Sequence, residues 1–268
     1  MTSQDVTIVS KGILIVGYGT TDGNLIEVLD TQVGRMKCRG WEHVEKAFFR
    51  VSNPTIPEGV KLLVDQGVNE IVVLPYYISE GTLTKELIPE KLGLGKSDSG
   101  KVMVDGKEVS ITMASAFDTG YTLTDIICDK IADAHGDMDC GILILGHGTR
   151  FRAKSNMMTI KMNAERVAAR GYKHVGYAFN EFNEPTINEA VDRLEKEGVE
   201  RIIAVPLFIA MGVHLRDLPK KVGLDPYKES GDITVNGRTI NIFFARPVES
   251  NPRLLDVLDQ KAREYLDG

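Results

Sequence analysis

Gly12-Ile-Leu-Ile-Val-Gly-Tyr18-Gly-Thr20 returns as Gly141-Ile-Leu-Ile-Leu-Gly-His147-Gly-Thr149, and this recurrence decides the fold. Further along, Asn53-Pro-Thr-Ile56 returns as Glu184-Pro-Thr-Ile187. The spacing is 129 residues from Tyr18 to His147 and 131 from both Ala47 to Ala178 and Pro75 to Pro206, so the second copy gained two residues between its first and second segments. The chain is a tandem duplication, and a repeat found before elements are assigned constrains every later step.

Each copy reads as strand, helix, strand, helix, strand, helix, a hairpin or strand, and a helix. The apolar runs Ile13 to Val16, Ile71 to Leu74, Ile142 to Leu145 and Ile202 to Val205 do not alternate with polar residues. That is the pattern of parallel strands buried on both faces, which helices must cover. Thr55 with Glu58, and Thr186 with Glu189, form capping boxes that start helices running to Gly67 and Gly198. Val104-Asp-Gly-Lys107 and Val235-Asn-Gly-Arg238 carry the dipeptides that suit two-residue hairpins. The first copy closes with a helix near Leu123 to Ala134, so Gly136 to Asp139 is the natural boundary. The expectation is an α/β protein of two tandem similar domains, residues 1–137 and 138–268, each a parallel sheet flanked by helices.

The 268 residues, 43% apolar and 7% aromatic, are enough for a substantial aliphatic core. With 32 basic against 38 acidic side chains the formal charge is −6, which gives no field for nucleic acid or anionic lipid, so neither is expected as a partner. The apolar runs are strand-length and short of the roughly 20 residues of a bilayer span, and the first ten residues lack a secretory pattern. A cytoplasmic location is expected. Cys38, Cys128 and Cys140 are scattered, without C-x-x-C spacing, and read as ordinary thiols.

Reading one copy against the other isolates three differences. Tyr18 becomes His147 at the end of the first strand, and Arg50 becomes Glu181 at the end of the second. Counting back five residues from Pro89 and Pro219, Thr84 becomes His214 in the loop after the third strand. All three positions lie past carboxyl ends of parallel strands, where ligands of such folds bind. Copy two thus gathers two imidazoles and a carboxylate where copy one has a phenol, a guanidinium and a hydroxyl. One active site in the second half follows, with copy one supplying a wall of the cleft and stability. His43 and His174 share a repeat position at the start of the second strand, the wrong end of the sheet, and read as structural; His135 reads as a polar residue near a helix end.

Competing motifs fail on context. Gly17-Tyr18-Gly19 and Gly146-His147-Gly148 lack the third glycine of a dinucleotide fingerprint, and no Walker lysine follows. Gly146-His147-Gly148 also differs from the Arg-His-Gly of histidine phosphatases, since Arg150 follows the histidine here.

Taken together, Leu145-Gly-His147-Gly-Thr-Arg150, Ala178-Phe-Asn-Glu181-Phe-Asn-Glu-Pro185-Thr-Ile187 and Val205-Pro-Leu-Phe-Ile-Ala-Met-Gly-Val-His214-Leu-Arg-Asp-Leu-Pro219 resemble the class II tetrapyrrole chelatases, specifically the sirohydrochlorin cobaltochelatase family in its long, two-repeat form. The resemblance covers nearly the whole chain and implies two halves facing each other across a cleft. It implies ATP-independent insertion of a divalent metal, cobalt foremost and nickel or iron otherwise, into sirohydrochlorin in cobalamin and tetrapyrrole biosynthesis. His147, His214 and Glu181 are the implied metal-site and catalytic residues. Imidazoles suit borderline metals over Mg, and a positioned carboxylate can take up pyrrole protons. Gly148, Thr149, Arg150, Arg152 and Arg216 are expected at the carboxylate-rich substrate, with Lys154, Lys220 and Lys221 nearby; Glu184 is expected as a helix cap. No permanently bound cofactor is expected, the metal being a substrate, and the chain ends at Gly268 without the histidine- or cysteine-rich tail of some long members. The partners are the tetrapyrrole and the metal ion, and the oligomer is a monomer or a homodimer. A non-catalytic metal or tetrapyrrole carrier using the same ligands is the reading of a different class.

Overall fold

A computed structural model describes residues 9–117, 120–150 and 153–266. The first half runs β1 (Lys11–Gly17), α1 (Leu25–Cys38), β2 (Val44–Phe48), α2 (Ile56–Asp65), β3 (Glu70–Pro75), α3 (Ile88–Lys91), β4 (Ser99–Val104), β5 (Lys107–Met113) and α4 (Thr122–Asp133). The second repeats it as β6 (Gly141–Gly146), α5 (Ala153–Ala168), β7 (His174–Phe179), α6 (Ile187–Lys196), β8 (Arg201–Pro206), α7 (Val213–Arg216), β9 (Ser230–Val235), β10 (Arg238–Phe244) and α8 (Pro252–Leu266). The sheet orders are β2-β1-β3-β5-β4 and β7-β6-β8-β10-β9, parallel except for the edge strands β4 and β9. The central strands carry the uninterrupted apolar runs: Ile13 pairs with Val44 and Val72, and Ile142 with Val175 and Ile203. Ile13, Val44, Val72, Ile142 and Ile203 are all fully buried.

Both capping boxes form, with Glu58 and Glu189 reaching back to the backbone N–H of Thr55 and Thr186. A lost cap of this kind costs about 1 kcal/mol. Glu184 is not part of this cap. The hairpin turns adopt positive φ at Asp105-Gly106 and at Asn236-Gly237, as type I′ geometry requires. His43 and His174 bond Gln66 and Glu197 at the amino ends of their strands, away from the carboxyl-end loops.

The halves are not independent bodies. The closing helix of each lies on the other's sheet: α8 packs against β3, and α4 against β8. The side chain of Arg201 on β8 donates to the carbonyls of Ala134 and His135 at the end of α4. In return Lys261 of α8 bonds the carbonyls of Ser115 and Ala116, and Trp41 Nε1 donates to Asp259 at 2.7 Å. The helices α1, α4, α5 and α8 therefore form one middle layer between the two sheets, with a core drawing on Ile15, Leu74, Ile127, Ile144, Val205 and Leu258. Separate cores lie on the outer faces, under α2 and α3 and under α6. The repeat boundary between residues 137 and 138 thus separates sequence copies that share their interior. No helix among the described residues is long and apolar enough to cross a membrane.

The pairing of Thr84 with His214 does not hold in space. Lys85 N–H bonds Gly81 O just as Arg216 N–H bonds Gly212 O, and Leu94 N–H bonds Pro89 O as Leu224 N–H bonds Pro219 O. The extra residue of copy one is absorbed between these anchors by a π-helical turn, Leu83–Leu87. The counterpart of His214 is therefore Leu83, and Thr84 corresponds to the buried Leu215. An aliphatic residue at the His214 position removes ligation from copy one more completely than a hydroxyl would. Thr84 itself is 1% exposed, with its hydroxyl accepting the Gly81 N–H and bonded to Glu80. Thr84→Ala is expected to cost about 1–3 kcal/mol in chemical denaturation, because partners of a buried hydroxyl lose it.

Candidate metal and proton-transfer site

The framework of the site is backbone. Asn180 N–H bonds Gly146 O at 2.8 Å and Glu181 N–H bonds His147 O at 3.0 Å, extending the β6/β7 pairing past both strand ends. Gly148 has φ +86°, and a Cβ there would overlap the Glu181 carbonyl oxygen, so only glycine lets the two loops meet. Thr149 N–H is held by Asn183 Oδ1 at 2.8 Å. Copy one builds the same frame, with Phe49 N–H on Gly17 O and Arg50 N–H on Tyr18 O. The duplication preserved the scaffold and changed the side chains it presents.

On this frame His147 and Glu181 stand on adjacent loops, and the single turn α7 brings in His214. The imidazole centroids of His147 and His214 are 4.9 Å apart with planes at 72°, and Glu181 Oε1 lies 3.4 Å from His214 Nδ1. His147 Nδ1 is 3.1 Å from Gly148 O, an atom that only accepts, so the neutral ring carries its proton on Nδ1 and presents Nε2 as a lone pair. Phe208 stands at 5.7 Å behind the His147 ring. His214 and Glu181 keep 54% and 34% of their side-chain surface, so the set is open to a ligand from solvent. Among the described residues no three His, Cys, Asp or Glu side chains close into a cage that would hold a metal ion alone. Two imidazoles and a carboxylate on an open face suit a metal in transit and a proton acceptor beside it.

The cations behave differently from one another. Arg150 stacks on the Phe182 ring at 4.5 Å, and Phe182, half exposed, extends the face next to Glu181. Arg216 turns away, ion-paired with Asp22 of the first half and 5.6 Å from the Tyr227 ring. Lys220 pairs with Asp217 at 2.8 Å, and Lys221 donates to Asn180 O at 2.7 Å. Arg152 lies outside the described residues, as does the Lys154 side chain. Phe208, Phe182 and Asn183 escaped the comparison of copies because a packing or anchoring role has no motif. A cavity of about 220 Å³ behind the His214 turn is lined by Met211, Leu215, Leu218, Tyr227 and Phe244. It falls short of the roughly 300–1,000 Å³ of ligand pockets and includes none of the three site residues.

The CbiX family model matches residues 12–134 and again 141–265. The chain belongs to the CbiX family. Its curated relatives include a sirohydrochlorin cobaltochelatase of Methanococcoides burtonii, 36% identical over 131 residues, which are 47% of this chain and 96% of that protein. Another, of Methanopyrus kandleri, is 31% identical over 139 residues, with the same two shares. These relatives are about half as long as this chain. In architecture the chain is similar to SirB from Bacillus subtilis with Fe3+, at a TM-score of 0.75 and 17% identity over 96% of each chain. It is also similar to SirB from Bacillus subtilis subspecies spizizenii in complex with cobalt, at 0.69 and 14% identity, covering 97% of this chain and 96% of that one. The CbiX family thus includes a long, duplicated form, and the two-sheet arrangement is the one this chain adopts.

Proposed function

We propose that the chain inserts a divalent metal, cobalt foremost, into sirohydrochlorin without consuming a nucleotide. The observation that carries this reading is the convergence of His147, His214 and Glu181 past the ends of β6, β7 and β8. Family membership and the names of the half-length relatives support it. His147 and His214 deliver the metal through neutral imidazole nitrogens. Insertion of a dication releases two pyrrole protons, and Glu181, on the face where the metal waits and open to solvent, accepts them one after the other and passes each to water. Arg150, with Gly148 and Thr149 beneath it, meets a substrate carboxylate. Arg216, beside the His214 turn, is ion-paired with Asp22. A carrier would need no base, so a carboxylate beside the imidazoles favours turnover.

The test is a metallation assay with sirohydrochlorin and Co2+, Ni2+ or Fe2+ in turn, followed by absorbance without ATP. Many product molecules per chain are expected, fastest with Co2+. Strict ATP dependence, or a single stoichiometric turn, would sink the reading.

A further inference from the structure

His214 stands on a single helical turn, and the residues that hold both ends of that turn come from the other half of the molecule. At its start, Met211 N–H donates to Asn24 Oδ1 at 2.8 Å, and Asn24 N–H donates to Met211 O at 3.3 Å. Gly23 and Gly212 form an isolated antiparallel bridge at the same point. A Cβ at Gly23, whose φ is +152°, would overlap the Met211 carbonyl oxygen. At the end of the turn Arg216 is ion-paired with Asp22. Asn24 is fixed in its turn, its Nδ2 donating to Glu249 Oε1 at 2.6 Å, and Glu249 is gripped by Arg246. Burial pushes the Glu249 carboxyl up, but the bonds from Arg246 and Asn24 outweigh it and hold it below the usual carboxylate range. It therefore remains an acceptor for Asn24 at neutral pH.

We infer that Asn24, within the segment Asp22-Gly23-Asn24 of the first copy, is a positioning residue that sets His214 for metal delivery. This rests on the reading of His214 as a metal ligand. It gives the first half a role in the chemistry despite its lack of ligands: it aims one of the two imidazoles. A four-residue turn has little stiffness of its own, since its backbone groups have few partners within so short a helix. The exposed His214 ring takes its direction from Met211, Gly212 and Arg216, each of which is tied to the segment 22–24. A partner hydrogen-bonded directly to a metal ligand is typically worth about 10–100-fold in metal affinity, and Asn24, which acts one step further out through the Met211 backbone, belongs at the lower end of that range.

The test uses the full chain and Co2+ alone, with equilibrium binding read by titration calorimetry and folding by thermal melting. Asn24→Ala is expected to weaken Co2+ binding about tenfold. On a His214→Ala background it is expected to change nothing further, since a residue that acts through His214 has no effect once His214 is gone. Exchanging the pair, Asn24→Asp with Glu249→Gln, keeps the acceptor for Met211 N–H and reverses the Asn24–Glu249 bond, and should restore binding. Should Asn24→Ala fail to fold, Gly23→Ala displaces the same turn by contact with Met211 and should reproduce the loss. Normal Co2+ binding in Asn24→Ala, or in a folded Gly23→Ala, overturns the inference, as does an equal loss with and without His214. If His214→Ala weakens Co2+ binding while Asn24→Ala does not, the metal site stands and only the positioning role falls. If His214→Ala binds Co2+ normally, both fall.

Discussion

Alanine at His147 or at His214 is expected to lower the rate of metal insertion by on the order of 100-fold or more, because losing a ligand should cost at least as much as losing a partner that merely orients one. The fold should persist. His147 sits on a loop and His214 on a single helical turn, both past the strand ends, His214 with more than half of its side chain exposed, and exposed substitutions usually stay within about 0.5 kcal/mol. The controls come from the duplication. Tyr18 occupies the His147 position on the same backbone frame, with Arg50 over its ring at 4.7 Å, and Tyr18→Phe should leave insertion near normal. His43→Ala and His174→Ala should resemble each other, since each loses one hydrogen bond at the far end of its sheet. Steady-state rates with Co2+ and melting temperatures for the five variants check this. A Tyr18→Phe defect as deep as that of His147→Ala would mean that both copies build the chemistry together.

Glu181→Gln is expected to slow insertion by about 100-fold, the lower range for a lost general base, while tetrapyrrole binding changes little. The amide has the shape of the carboxylate and can still accept from His214, but it cannot take up a proton at neutral pH. A fall in kcat with a nearly constant dissociation constant for the metal-free macrocycle, read by fluorescence titration, is the expected signature. Equal losses in binding and in rate would reassign Glu181 to substrate recognition.

Features set by local chemistry were legible in the residues. Thr55 and Thr186 announce helix starts because the capping box closes within four residues, and Asp105-Gly106 and Asn236-Gly237 announce hairpins because left-handed backbone favours those residue types. The convergence of His147, Glu181 and His214 was legible because His147 and His214 follow strands with uninterrupted buried runs, while Glu181 follows an Ala178-Phe179 strand end that repeats Ala47-Phe48. The copy comparison failed at Thr84, where an extra residue inside a helix widens one turn instead of lengthening a loop. Residue counting cannot place such an insertion; the backbone bonds of Gly81 and Gly212 can. The partner of Arg216 was hidden for another reason: Asp22 lies in the other copy, and a long-range ion pair leaves no local pattern. The exchanged packing of α4 and α8 is equally silent, since an amphipathic helix does not specify which of two similar sheets it covers.

That exchange sets an order on synthesis. The inner face of the first sheet, with Ile13, Ile15, Val72 and Leu74, needs α8, whose residues 252–266 leave the ribosome well over a hundred residues after the sheet itself. Domains generally fold as units, the N-terminal one first, as they emerge during translation. Here the first half cannot do so completely: through the translation of its twin, the part of its inner face that α1 does not reach lacks its cover. Duplication with exchanged closing helices made the earliest-made sheet the last to be sealed.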